Sequence, residues 1–268
     1  MNIIEKQYES RQKNWIYQLL IILIVIVILV WSKSAFQMNI GKNNGLKVVQ
    51  NIILGILHPD TTILFDFSTQ GIPYLLFETI CIAFLGTIVG AIVSLPFSFL
   101  ASTNIVIKPI ALIGRLFVMA VRTIPVFVYG LMFIRVTGPG PFAGILTMSI
   151  CSVGMLTKMN IETIEDLDIG ILESLDAAGC NTFEKIRYGI IPQLIPNFLS
   201  TAIYRFDMNL RDASVLGLVG AGGIGAPLLF AMSSYRWNQV GSILIGLIIL
   251  ILIIELFSTK IRVKLVRG

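Results

Sequence analysis

Residues 73–101 read PYLLFETICIAFLGTIVGAIVSLPFSFLA. A hydrocarbon core of about 30 Å is crossed by roughly 20 apolar residues in an α-helix. This run is longer than one crossing needs, so it must tilt or reach into water. Five further apolar runs occur at 15–31, 109–136, 139–157, 193–217 and 238–257. Composition agrees: 56% of the chain is hydrophobic, 13% is charged, and the mean hydropathy is +0.87. Soluble domains carry about 25% charged residues, so lipid is the solvent for much of this surface. The predicted fold class is an all-α integral membrane protein with about six transmembrane helices. Pro96 and Pro125 lie inside their runs and predict kinks.

The run at 15–31 follows Lys6, Arg11 and Lys13 in the manner of a signal peptide. It is longer than a signal-peptide core of roughly 7–15 residues, and no small-x-small cleavage site follows it, so it reads as a retained anchor. Residues 45–57 predict a short helix on the membrane surface. Cys81, Cys151 and Cys180 lack metal-ligand spacing, and His58 is the single histidine, so the sequence offers no metal site, no catalytic residues and no His-based triad.

Lysine and arginine set the orientation. With the N-terminus inside, Lys6, Arg11, Lys13, Lys108, Lys158, Lys185, Arg187, Lys260, Arg262, Lys264 and Arg267 fall on inner segments. Only Lys33, Lys42, Lys47, Arg135 and Arg236 fall outside. Both termini are therefore expected in the cytoplasm, and so is the loop 158–192. That loop is polar yet periodic, with Ile161, Ile164, Leu167, Ile171, Leu172, Leu175 and Ala178 at helical spacings. Gly179 is a helix stop, and Asn181 with Glu184 is a capping box opening a second helix. Pro192 and Pro196 mark the entry to the next span. The loop reads as helix, glycine turn, helix; an ordinary solvated hairpin would show the same pattern.

The segment ESLDAAG at 173–179, nine residues, then GIIP at 189–192 resembles the cytoplasmic EAA loop of binding-protein-dependent ABC importer permeases. Glu173, Gly179 and Pro192 stand at the family spacing. Ser174 and Leu175 replace two alanines, Gly189 an isoleucine and Ile191 a leucine. RTIP at 122–125, YGIIPQ at 188–193, YRFDMNLR at 204–211 and SVLGLVGAGGIG at 214–225 are similar to the phosphonate-type branch. Val126 stands where that branch usually has Glu, and residues 149–152 lack its histidine.

The resemblance implies a type I ABC importer permease core over 73–257, preceded by an N-terminal segment, anchor and outer stretch at 1–72 and followed by a basic tail at 258–268. It implies the cell membrane of a prokaryote and a non-catalytic translocation subunit moving phosphonate, phosphite or phosphate. ATP and Mg would be held by a partner ATPase dimer, with no cofactor in this chain. An extracytoplasmic binding protein would deliver substrate, and a second permease copy would complete a homodimer. Glu173, Ala177, Ala178, Gly179 and Pro192 would form the ATPase-coupling loop.

Arg205, Asp207 and Arg211 lie near the middle of the run 193–217, with Asp212 just beyond. A central charge costs roughly 2.5–3.5 kcal/mol on the milder insertion scale, so these groups face water or protein. Asp207 and Arg211 share a helix face, as do Arg115 and Arg122. Arg122, Arg205, Asp207 and Arg211 are candidates for an anion pathway or subunit interface, against structural ion pairing between helices. Gly220, Gly222, Gly223 and Gly225 fit Gly-x-Gly-x-x-Gly but lack the βαβ context of a dinucleotide site, and are a candidate outer gate. No phosphate-loop motif is present. An ion-gradient-driven transporter of a small anion is the alternative, though Asp207 is the one clear mid-span acid and no internal repeat is evident. A membrane-embedded enzyme would need clustered His, Cys or carboxylates. No nucleic-acid partner is expected.

Overall fold

The computed structural model describes residues 15–35 and 45–267. The charged segment before residue 15, Lys42 and the rest of the stretch at 36–44 lie outside the described residues. The chain divides into a unit at 1–50 and one at 51–268. In the first, α1 (Trp15–Ala35) covers the predicted anchor with 21 residues of unbroken apolar helix. α2 (Gly45–Leu57) is the predicted short helix and spans the division.

The larger unit is helical throughout its regular elements. α3 (Thr61–Leu64) is capped by Asp60, whose carboxylate accepts from the Thr62 hydroxyl and amide. Those bonds favour the ionised form and lower its pKa. α4 (Ile72–Ala101) carries Pro73 in its first turn and stays continuous through Pro96. The predicted kink at Pro125 is a full break. α5 (Lys108–Thr123) and α6 (Val126–Thr137) meet at 83°, so the run 109–136 is a bent pair rather than one straight helix. Proline disfavours helical geometry in the residue before it, and Ile124 is extended, with φ −80° and ψ 123°.

α7 (Pro141–Glu165) runs farther than the predicted 139–157. It takes in Lys158 and Glu162, which pair one turn apart at 3.0 Å. α8 (Ile169–Ala177) and α9 (Thr182–Glu184) form the hairpin arms. A π-helical turn at Lys185–Ile190 leads into α10 (Ile191–Leu216). Pro192 then falls in the first turn of α10, directly after the π-helical turn. A 3₁₀ turn (Gly217–Val219), α11 (Gly225–Ser233) and α12 (Trp237–Arg267) complete the chain. The residues expected as a tail from 258 continue α12 as far as Arg267.

Among the described helices, Ile72–Ala101, Pro141–Glu165 and Trp237–Leu265 have the length and apolar composition to cross a membrane, and the bent α5–α6 pair counts as a fourth. α10 has the length, at 26 residues, but carries the four charged residues noted above.

The central seam is α4 against α7. A Cβ built on Gly86 would lie 2.3 Å from Cβ of Met148, and one on Gly90 would lie 2.3 Å from Cβ of Ser152. This is a small-xxx-small contact, which lets backbones approach where lipid supplies no hydrophobic drive. Ile82 and Met148 pack there with Ala213, Leu216 and Ala221. Two buried hydroxyls on the seam are satisfied within their helices, Thr87 donating to Ala83 O at 2.6 Å and Thr147 to Ala143 O at 2.7 Å, while Thr157 of α7 donates across it to Ser94 O at 3.4 Å. Overpacking a close contact costs about 1–3 kcal/mol or more. Gly90→Leu is therefore expected to lower the thermal denaturation midpoint in detergent by several degrees, while Ile92→Leu, at a position 65% exposed, leaves it unchanged.

Candidate functional site

The predicted hairpin is built by local bonds. Asp168 opens α8 by accepting from Gly170 N at 2.9 Å. At the other end Gly179 N donates to Asp176 O at 2.9 Å and Cys180 N to Leu175 O at 3.0 Å. These are the two bonds of a Schellman stop, with Gly179 at φ +79°. Asn181 and Glu184 form the predicted capping box, at 2.8 and 3.0 Å. Lys185 and Asp176 form an ion pair across the arms. Glu173, Ala177, Ala178, Gly179 and Pro192 are all exposed.

Two departures from the EAA pattern meet in space. A Cβ on Gly189 would lie 2.4 Å from Cδ1 of Leu175. The large residue in an alanine position is accommodated by the small one in an isoleucine position.

The charges of α10 point two ways. Arg205 is buried against α7, donating from Nε to Ser152 Oγ at 3.2 Å and from Nη1 to Met155 Sδ at 3.2 Å. Its guanidinium lies 3.9 Å from Asp212. One turn on, Asn209 is fully buried and donates to Thr87 Oγ1 at 2.8 Å and Ser152 Oγ at 2.7 Å. On the other side Arg211 bonds Asp207 at 2.9 Å and reaches Glu255 of α12 at 3.4 Å. Arg262 of α12 lies over the Tyr204 ring at 5.5 Å. Asp207 Oδ1 and Asn209 Oδ1 have no hydrogen-bond partner among the described residues.

Arg205 and Arg211 are thus paired with aspartates of their own helix. Arg122 joins neither group. It is exposed in the last turn of α5, its stem beside Gly154 of α7, where a Cβ would come within 2.8 Å of Arg122 Cγ. No ion pair holds it among the described residues. Arg115, predicted to share its face, is tied instead to Glu165.

The glycine segment is packed closely. Gly140 N donates to Gly220 O at 2.9 Å, Gly223 N to Glu78 Oε1 at 3.2 Å and Ile224 N to Thr79 Oγ1 at 3.0 Å. A Cβ on Gly222 would meet Pro141 at 2.8 Å, and one on Gly225 would meet Ser214 O at 2.1 Å. The segment and the hairpin therefore lie at opposite ends of α4, α7 and α10. Sequence reasoning missed Ser152, Thr87, Asn209, Glu78 and Glu165. Only the spacing of Asn209 one turn after Arg205 hinted at the buried network.

The profile of the family described as binding-protein-dependent transport system inner membrane component matches residues 94–262. The chain belongs to that family. The matched span holds the hairpin, the α10 charges and the glycine segment of this permease. It is 31% identical over 188 residues to the phosphite transport system permease protein PtxC of Stutzerimonas stutzeri, covering 70% of this chain and 68% of that one. It is 34% identical over 186 residues to the phosphate-import permease protein PhnE of Mycolicibacterium smegmatis, covering 69% of this chain but only 35% of that one. Its fold resembles the MetNI methionine ABC transporter in an inward-facing conformation, with TM-score 0.62 and 20% identity over 71% of this chain and 94% of that one. It also resembles an amino acid ABC transporter crystallised with histidines, with TM-score 0.60 and 21% identity over 83% of this chain and 98% of that one.

The Leu175–Gly189 contact yields a direct test. Gly189→Ile alone should destabilise the permease by about 1–3 kcal/mol. Adding Leu175→Ala should recover at least half of that loss, because contacting residues couple. Thermal melts of the two single variants and the double variant measure it.

Proposed function

We propose that this permease is the membrane-spanning subunit of an ABC importer that brings a phosphorus oxyanion, phosphite, phosphonate or phosphate, into a prokaryotic cell. The observation that carries this is the family membership together with the similarity to permeases named for phosphite and phosphate transport. The capped hairpin fits the mechanical role. It is a short, rigid pair of arms with an exposed face bearing Glu173, Ala177, Ala178 and Gly179.

In this reading the hairpin and both termini face the cytoplasm, and the hairpin seats in a separate ATPase. An ATPase dimer binds ATP and Mg, and its closure pushes on two hairpins, one from each of two permease copies. A binding protein outside the membrane delivers the anion to the end that carries Gly220, Gly222, Gly223 and Gly225. That end opens only when the bonds from Gly223 and Ile224 to Glu78 and Thr79 are broken. Arg205 and Arg211 tie α10 to α7 and α12, with Asp207 bonded to Arg211, whereas Arg122 is a cation available to meet an anion beside the α5–α6 break.

The permease, co-expressed with its ATPase and binding protein and placed in proteoliposomes, should hydrolyse ATP in response to phosphite-loaded binding protein. Glu173→Ala and Gly179→Asp should abolish that response while the permease still folds. Failure of any ATPase to associate with the wild-type chain would remove the assignment. In the same vesicles Arg122→Gln should reduce phosphite uptake by on the order of tenfold, the scale of about 1.4 kcal/mol, with an unchanged melting midpoint. Normal uptake by that variant would place the anion elsewhere.

A further inference from the structure

The root of the hairpin is bolted to the turn between α4 and α5. Glu165, the last residue of α7, accepts from the backbone N and the hydroxyl of Thr103 and from Nη2 of Arg115. Arg115 also donates from Nε to Ala101 O at 3.0 Å. That carbonyl belongs to the last turn of α4, where helical carbonyls lack partners within the helix. Asn104 Nδ2 donates to Ile164 O at 2.7 Å. One carboxylate and one guanidinium therefore join the ends of α4 and α7 to the middle of α5.

The departing root touches the same turn through apolar contacts. Ile105 and Phe99 pack with Ile164, Ile190 and Leu194, and Ile186 and Leu167 pack on that cluster. Both chain segments that carry the hairpin are thus held to residues 99–105, one by charge and hydrogen bonds, the other by apolar packing. A push on α8 reaches Asp166 and then Glu165 before it reaches the rest of α7. From Arg115, α5 runs seven residues to Arg122, about 10.5 Å along the axis, and ends at the break before Pro125.

We propose that Arg115 and Glu165 are positioning residues for transport: their clasp on the α4–α5 turn carries displacement of the coupling hairpin into α5, and so to the break where Arg122 stands. This rests on the importer assignment above. The pair touches neither ATP nor anion; its work is to keep the hairpin and α5 moving as one body. Exposure of the two side chains, 38% and 26%, makes the pair a modest contributor to stability. Its loss should therefore disturb coupling more than folding.

The test is the ratio of ATP hydrolysed to phosphite taken up, in proteoliposomes holding the permease, its ATPase and its binding protein. Glu165→Gln and Arg115→Gln should raise that ratio at least about fivefold, the lower edge of ordinary coupling between sites, with basal ATP hydrolysis retained. The reversed pair, Arg115→Glu with Glu165→Arg, should bring the ratio back toward the wild-type value. Asn104→Leu, which removes one bond and no charge, supplies a milder variant should the others fold poorly, and it should raise the ratio less. Glu173→Ala separates the two levels. If it uncouples the transporter while Glu165→Gln, Arg115→Gln and Asn104→Leu all keep the wild-type ratio, the clasp proposal is overturned and the importer assignment stands. If the wild-type vesicles show no phosphite-dependent hydrolysis, both fall together.

Discussion

The close approach of α4 and α7 at Gly86 and Gly90 is the constraint on which the rest of this permease depends. In lipid, apolar side chains gain nothing from leaving their solvent, so helices associate through fit and through polar contacts. Gly90 lets the backbone of α4 lie against Ser152. The Ser152 hydroxyl is then held where Arg205 and Asn209 of α10 both reach it. A side chain at position 90 would move Ser152, and with it the polar anchor of the third helix.

The same seam carries contacts toward both ends. Toward one end, Thr79 and Glu78 of α4 receive the amides of the glycine segment, and Gly144 of α7 comes so close to Ala221 that a Cβ would lie 2.4 Å from its carbonyl oxygen. Toward the other, α4 and α7 finish beside each other at Ala101 and Glu165, where Arg115 bonds both. The two ends are therefore connected through a pair of closely packed helices.

The hairpin was the most legible part of the chain because its geometry is written in neighbours. Gly179 stops one arm and Asn181 with Glu184 starts the next, and each signal acts within a few residues. The break at Pro125 was visible as a kink but not as an 83° turn, since the angle depends on what α5 and α6 pack against. The helical spacing of Ile161 and Ile164 reads in the sequence as part of the polar loop's first helix; in the structure both belong to α7, which runs to Glu165 and is parted from α8 before Ile169, because polarity rises after residue 157 while the backbone stays helical. The partners of Arg115 and Asn209 lie 50 and 122 residues away, a separation over which no periodicity speaks. Arg205, Asp207 and Arg211 stand out in the sequence by their cost in lipid, whereas the pairing of Arg205 with Asp212 and of Arg211 with Glu255 as well as Asp207 emerges only with the fold.

Order of synthesis gives the charges of α10 a further meaning. A helix with Arg205, Asp207, Arg211 and Asp212 is a poor substrate for insertion by itself, at roughly 2.5–3.5 kcal/mol for each charge placed centrally. Thr87 and Ser152, which bind Asn209 and Arg205, are translated before it, while Glu255 and Arg262, which meet Arg211 and Tyr204, are translated after. The half of α10 that faces α4 and α7 finds its partners already made. Arg211 meets Asp207 within α10 itself, but its contact with Glu255 has to wait for α12, so the half that carries Asp207 and Arg211 is completed only by a helix made after it.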